Sequence, residues 1–337
     1  MASRPDFGHG TKASEVAAAF TGQIKGRVVA ITGIARAGLG GATALAFAKH
    51  DPELLILISR TQSKLDEVTA DIKAGSPGTN VRTVQVDLVS PASVRRAAEE
   101  IKALTSRIDI LVNNAGLTLY ERKHTPDDIE YQLAANHLGP FLLTNLLQDR
   151  FLAAAKTSPP GATRIVNLSS GVHHASPFRF HDYNCEGKPV PADEADLLAN
   201  WPATFRKADN GYQGFLAYAQ SKTANILFSI GLNKRLANKG IVSYSLHPGA
   251  IITEISRGVK DEIAAELANL VKESNPKHSN EEGASTTMVA ALDPALNDVK
   301  EVYLDDCQLA QPATFAVDPE KAEKLWALSE ELVKQRF

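Results

Sequence analysis

Apolar runs of strand length alternate with stretches of helical periodicity along most of the chain. Arg27–Thr32 (RVVAIT) is a β-branched run ending at a glycine, the pattern of a strand buried on both faces of a parallel sheet. A helix-like stretch, Leu39–Lys49, follows with alanines and leucine on its faces. The alternation then repeats through strand Leu54–Ser59, helix Ser63–Ala74, strand Val81–Val86, helix Ala92–Leu104 and strand Ile108–Asn113. It continues with helix Asp127–Ala153, strand Arg164–Leu168, helix Phe215–Ala237 and strand Val242–His247. Such alternation predicts right-handed βαβ crossovers, hence a doubly wound α/β fold: a parallel sheet of about seven strands with helices on both faces. No repeat, linker or compositional break divides the sequence, so residues 1–337 read as a single domain.

Two segments fall outside this rhythm. Residues 1–26 form an N-terminal arm in which Ala13–Phe20 has the pattern of a short helix. Residues 171–214 form an insertion rich in Pro, Asp and Asn that carries Phe178, Phe180, Tyr183, Trp201, Phe205 and Tyr212. A solvated loop gains nothing from such side chains, so several should be buried. They either pin the insertion to the core or form an apolar lid over a substrate pocket, with Lys260–Val271 as the opposite wall.

Composition narrows the function classes. A hydrophobic share of 44% and a charged share of 22% are ordinary for a soluble globular protein. A net charge of −3 leaves no basic footprint for nucleic acid or an anionic membrane. No stretch approaches the roughly 18 apolar residues of a membrane span, and the first residues lack a signal-peptide pattern, so the default expectation is the cytoplasm. Cys185 and Cys307 lie far apart without metal-ligand spacing, which favours two free thiols over a bridge. The adjacent His173 and His174 point to opposite sides of an extended chain, and no third ligand is spaced to join them; no metal site is expected.

The first chemical signal is the turn Gly33-Ile34-Ala35-Arg36-Ala37-Gly38-Leu39-Gly40. Glycines between a strand and a helix let backbone approach a pyrophosphate held at the helix N-terminus. The second strand ends Ile58-Ser59-Arg60, with no acid to accept from a ribose 2′-hydroxyl. Arg60 and Arg36 together favour a 2′-phosphate, and so NADP(H) rather than NAD(H).

Tyr218 and Lys222 are four residues apart, so they share one face of a helix. Among the seven tyrosines only Tyr218 has lysine at the fourth following position. An ammonium beside a phenol lowers its pKa and makes it a usable acid/base near neutral pH. Ser170 follows a strand, where its hydroxyl can bond a developing oxyanion; Ser169 competes for that role.

Gly33 to Gly40, Asp87-Leu88, Asn113-Asn114-Ala115-Gly116, Asn136, Ser169-Ser170, Tyr218-Ala219-Gln220-Ser221-Lys222 and Pro248-Gly249 occur in this order. Together they resemble the short-chain dehydrogenase/reductase family, with its Rossmann-type fold, over nearly the whole chain. Ile129–Leu143, Asn225–Phe228, His247–Thr253, Tyr303–Cys307 and Leu325-Trp326 resemble its retinol-dehydrogenase-like branch, fungal and plant members in particular. The resemblance implies that Asp87 and Leu88 border the adenine, that Asn114, Ala115 and Gly116 line the nucleotide groove, and that Pro248, Gly249, Ile251 and Thr253 serve the nicotinamide. It places the catalytic hydroxyl on Ser170 and gives Asn136 the task of kinking its helix and holding a water that links the lysine to solvent. One departure stands out: Ile34 to Ala37 puts four residues between the first two glycines where the family has three. Which amides of Gly33, Gly38, Leu39 and Gly40 meet the phosphates is therefore open.

The expected activity is interconversion of a carbonyl and an alcohol by hydride transfer, on a bulky lipophilic or secondary-metabolite substrate. A sugar-nucleotide epimerase or dehydratase also uses a Tyr/Lys pair, but the excess length here is an arm and an insertion rather than a C-terminal domain. A non-catalytic NADP-binding regulator would be signalled by loss of Tyr218, Lys222 or Ser170, and all three are present. Many relatives pair through the two long helices, so a homo-oligomer is one state the resemblance allows.

Overall fold

A computed structural model describes residues 2–191, 197, 201–251 and 261–337. Its centre is an eight-stranded sheet in the order β3-β2-β1-β4-β5-β6-β7-β8. The strands are β1 (Val28–Thr32), β2 (Leu54–Ser59), β3 (Val81–Gln85), β4 (Ile110–Asn113), β5 (Thr163–Leu168), β6 (Ile241–Leu246), β7 (Tyr303–Asp305) and β8 (Gln308–Leu309). All neighbouring pairs are parallel except β7–β8, a short antiparallel addition beyond the roughly seven strands expected. Strand order reverses between β1 and β4, which opens a crevice at the strands' C-terminal ends.

The helices are α1 (Ala13–Ala19), α2 (Leu39–Ala48), α3 (Gln62–Gly75), α4 (Pro91–Leu104), α5 (Tyr131–Leu133), α6 (Gly139–Leu146), α7 (Gln148–Ala155), α8 (Gly214–Leu236), α9 (Asp261–Glu273), α10 (Asn280–Leu292) and α11 (Pro319–Leu332). Alternate strand residues point to opposite faces, so each strand feeds two cores. Val29, Ile31, Leu55 and Leu57 pack with α1, α2, α3 and α10 on one side. Val28, Ala30, Leu54 and Ile56 pack with α4, α6, α8 and α11 on the other. Both-face burial is why these strands read as unbroken apolar runs.

The helix expected over Asp127–Ala153 is not continuous. Asp128 takes a left-handed φ of 59°, so the first residues are a turn. Helix begins only where the Glu130 carboxylate accepts from the Gln132 and Leu133 amides. A π-turn over Ala134–Leu138 then interrupts it. Pro140 has no N–H to give to the carbonyl four residues back, which belongs to Asn136, and the wider turn follows from that missing bond.

The insertion's aromatics pin it to the core. Phe205 stacks on Phe215 of α8 with centroids 4.5 Å apart, and Trp201 meets the same ring at 5.1 Å. The Tyr212 hydroxyl donates to Glu130 at 2.7 Å. Ile263, Leu267 and Leu270 of α9 join this cluster, so α9 packs on the insertion; Lys260, the expected first residue of that helix, lies outside the described residues. The arm is tied down at α10, and Ser3 donates to Asp293 at 2.6 Å. Cys185 and Cys307 are buried free thiols. Among the described residues no helix is long and apolar enough to cross a membrane.

α11 lies across α6 and α8. Trp326 meets Phe141 edge-on at 5.0 Å, and a β-carbon on Gly231 would come within 2.9 Å of its ring. Arg235 stacks over the same indole at 3.8 Å and pairs with Glu323 at 2.7 Å.

Candidate active site

A cleft of about 630 Å³ runs along the C-terminal ends of the central strands. At one end α2 begins. Its N-cap, Gly38, has no capping side chain, so the first-turn amides are left for a ligand. A β-carbon on Gly38 would find only ordinary contacts, the nearest at 3.5 Å, and Gly33, Ala35, Gly38 and Leu39 all line the cleft. Gly40 is not on its wall. A β-carbon there would sit 2.5 Å from the Gly33 carbonyl oxygen, so this glycine serves the close packing of loop on helix. Ile34 also borders the cleft, although its side chain is buried in the core cluster. The backbone cradle and the open helix N-terminus fit a dinucleotide pyrophosphate.

Arg60, just before α3, and Lys64, in its first turn, line the cleft beyond the end of β2, together with Asp87 and Leu88. Arg36 does not join them. Its guanidinium bonds both carboxylate oxygens of Asp71 on α3, each at 2.7 Å, and it is absent from the lining among the described residues. Convergence of the two arginines is thus corrected to Arg60 with Lys64, which the start of α3 brings to the same wall. Asn114 lines the groove, but its amide is spent on the Thr32 and Gly33 carbonyls, which holds the glycine loop to β4. Ala115, Gly116, Pro248, Gly249 and Ile251 border the cleft; Thr253 lies outside the described residues.

At the other end Tyr218, Lys222, Ser170 and Asn136 come together. Ser170 Oγ receives the Val172 amide at 3.3 Å, and Ser170 and Tyr218 border the same end of the cleft, close enough for the serine hydroxyl to favour ionisation of the phenol. Ser169 is committed elsewhere, donating to the Lys222 carbonyl at 2.8 Å. Lys222 Nζ donates to the Leu168 carbonyl at 3.0 Å and lies 5.5 Å from the Tyr218 ring centroid. Asn136, within the π-turn, exchanges hydrogen bonds with the Leu117 backbone and donates to Ser221 at 2.9 Å. A β-carbon on Gly116 would stand 3.2 Å from Lys222 Nζ and 3.4 Å from Asn136 Oδ1, so this glycine leaves lysine and asparagine room to approach.

The expected electrostatics need correction. Burial pushes the Tyr218 phenol up, opposed only by the nearby Ser170 hydroxyl, while burial lowers Lys222 to about 8. At its present distance the ammonium does not overcome the desolvation of the phenol.

The cleft wall also includes Leu117, Thr118, Leu119, Lys123, Tyr131 and His247, none given a site role by the sequence reading. None of the insertion's six aromatics borders it among the described residues, so the pinning alternative describes them better than the lid. The described residues hold no cluster of three or more His, Cys, Asp or Glu suited to a metal.

Residues 27–185 match the family model described as short chain dehydrogenase. The chain is 39% identical over 241 residues to "Oxidoreductase fscI" of Fusarium equiseti, covering 71% of this chain and 93% of that protein. It is 34% identical to "Retinol dehydrogenase 12" of Bos taurus over 94% of this chain and 89% of the relative. A crystal structure of an uncharacterized protein from Mycobacterium paratuberculosis superposes with a TM-score of 0.64 at 29% identity, covering 93% of this chain and 96% of the other.

Proposed function

The chain belongs to the short-chain dehydrogenase/reductase family, on its retinol-dehydrogenase-like branch, and from that premise we propose that it is an NADP(H)-dependent oxidoreductase. It interconverts a carbonyl and an alcohol on a bulky lipophilic substrate, within one catalytic domain. The observation that carries this reading is that Ser170, Tyr218 and buried Lys222 share one end of a cleft whose other end is a glycine cradle.

A bound nicotinamide nucleotide supplies or accepts the hydride. Tyr218 gives its phenolic proton to the carbonyl oxygen as that oxygen gains charge, or takes it back in oxidation. Ser170 donates a hydrogen bond to the same oxygen. Lys222, charged below about pH 8, favours the phenolate left behind when substrate and nucleotide close the site. Asn136 holds Leu117 and Ser221 in place around the lysine. Stopped-assay NADPH consumption across straight-chain aldehydes, bulky ketones and all-trans-retinal tests the activity. A lipophilic substrate requires kcat/KM to climb with apolar size, and a flat or falling series would refute it.

Cofactor choice rests on Arg60 and Lys64 where an NAD site would present an acid. An arginine–phosphate contact contributes about 1.5–3 kcal/mol. Arg60→Ala should therefore weaken NADPH binding by about ten- to a hundredfold and leave NADH nearly unchanged, as read by calorimetric titration. Equal affinities of the parent protein for both nucleotides would remove the preference.

A further inference from the structure

The peptide group between Ser170 and Gly171 is gripped at both of its polar atoms by imidazoles. His173 Nδ1 lies 2.6 Å from the Ser170 carbonyl oxygen and must donate to it. The other nitrogen of that ring, Nε2, receives the Ala313 amide at 3.1 Å. Both bonds require the neutral ring, and burial holds His173 at about 3. On the opposite side the Gly171 amide donates to His247 Nδ1 at 3.0 Å. His247 must therefore be neutral, with its proton on Nε2.

We infer that His247, with His173 as its fixed counterpart, is a positioning residue that sets the plane of the Ser170–Gly171 peptide and so aims the Ser170 hydroxyl at the Tyr218 phenol. The inference rests on the reading of Ser170 as the oxyanion donor. A loosened peptide lets the Ser170 backbone and the hydroxyl it carries shift, and a shift of about 1 Å at a reacting group can cost on the order of a hundredfold in rate. The two rings differ in one respect. His173 is locked by two partners, whereas His247 borders the cleft.

Asp305 and Asp306 at the end of β7 favour its charged form. Burial, Lys277 and His174 oppose it, and the outcome lies below the ordinary 6.5. The ring is thus neutral at pH 7 and becomes protonated as pH falls through a value under 6.5. A protonated ring carries N–H on both nitrogens and faces the Gly171 amide donor to donor. Acid therefore releases the clamp.

The test compares His247→Asn, whose Oδ1 can replace Nδ1 as acceptor, with His247→Leu, which cannot accept, and with Ser170→Ala. The carbonyl turned over fastest in the series above is the probe. His247→Leu should lose about ten- to a hundredfold in kcat while NADPH affinity by fluorescence titration holds. His247→Asn should restore most of that loss and remove the acid limb of the wild-type kcat–pH profile, since His174 remains in both proteins. Wild-type kcat in His247→Leu, or equal loss in both variants, would overturn the clamp. If His247→Leu does not fold, the acid limb of His247→Asn decides: its persistence overturns the inference. Full activity in Ser170→Ala would instead sink the underlying assignment of the serine.

Discussion

Tyr218→Phe should bind NADPH as the parent does but lose about 10²–10⁴-fold in turnover, the range contributed by a positioned general acid/base. The ring still packs; only the transferable proton is gone. Ser170→Ala should be severely impaired too, because its hydroxyl faces the phenol. Ser169→Ala should cost far less, because its hydroxyl is occupied with the Lys222 carbonyl. Steady-state kinetics with calorimetric nucleotide affinities check all three. Parent-like turnover in Tyr218→Phe would end the mechanism, whereas a reversed order of the serines would move only the serine assignment.

Lys222→Met should abolish most activity and at the same time stabilise the protein at pH 7. Burial lowers this lysine from 10.5 to about 8, so the folded state disfavours the ammonium that the unfolded chain carries freely. At about 1.4 kcal/mol per pKa unit, the cost is on the order of 3 kcal/mol. The sign is that of a depressed base: the penalty is complete below about pH 8 and fades as pH rises toward 10.5. The substitution leaves the Leu168 carbonyl served, since Asn225 also donates to it at 2.8 Å. Urea denaturation from pH 7 to 10.5 should show the parent gaining on the variant as pH rises. Parallel curves, or a less stable variant at pH 7, would contradict the burial argument.

The features legible in the sequence are those set by local period. Leu54–Ser59 reads correctly because both of its faces are buried, and Tyr218 with Lys222 because i,i+4 spacing fixes a shared helix face. What escaped depends on where side chains travel across the fold. Arg36 sits in the glycine loop, yet its long side chain reaches Asp71 on a different element, a choice no local pattern records. The π-turn at Asn136 is invisible in the apolar periodicity that runs through it, although the family resemblance implied a kink there and Pro140 carries a reason. Ile34 borders the cleft as a loop residue should, but its side chain packs into the core, which no local pattern foretold. His247 gave one faint sign, its place directly before Pro248-Gly249, but its bond to Gly171 joins two strand ends that meet only in the folded sheet.

The placement of α11 over α6 and α8 bears on how the protein behaves on dilution. The aromatic seam of Phe141, Phe228 and Trp326 is covered by a segment of the same chain. That segment's effective concentration at the seam is set by the length of its tether and not by how much protein is in the tube. Water is therefore kept from this seam equally at nanomolar and millimolar protein.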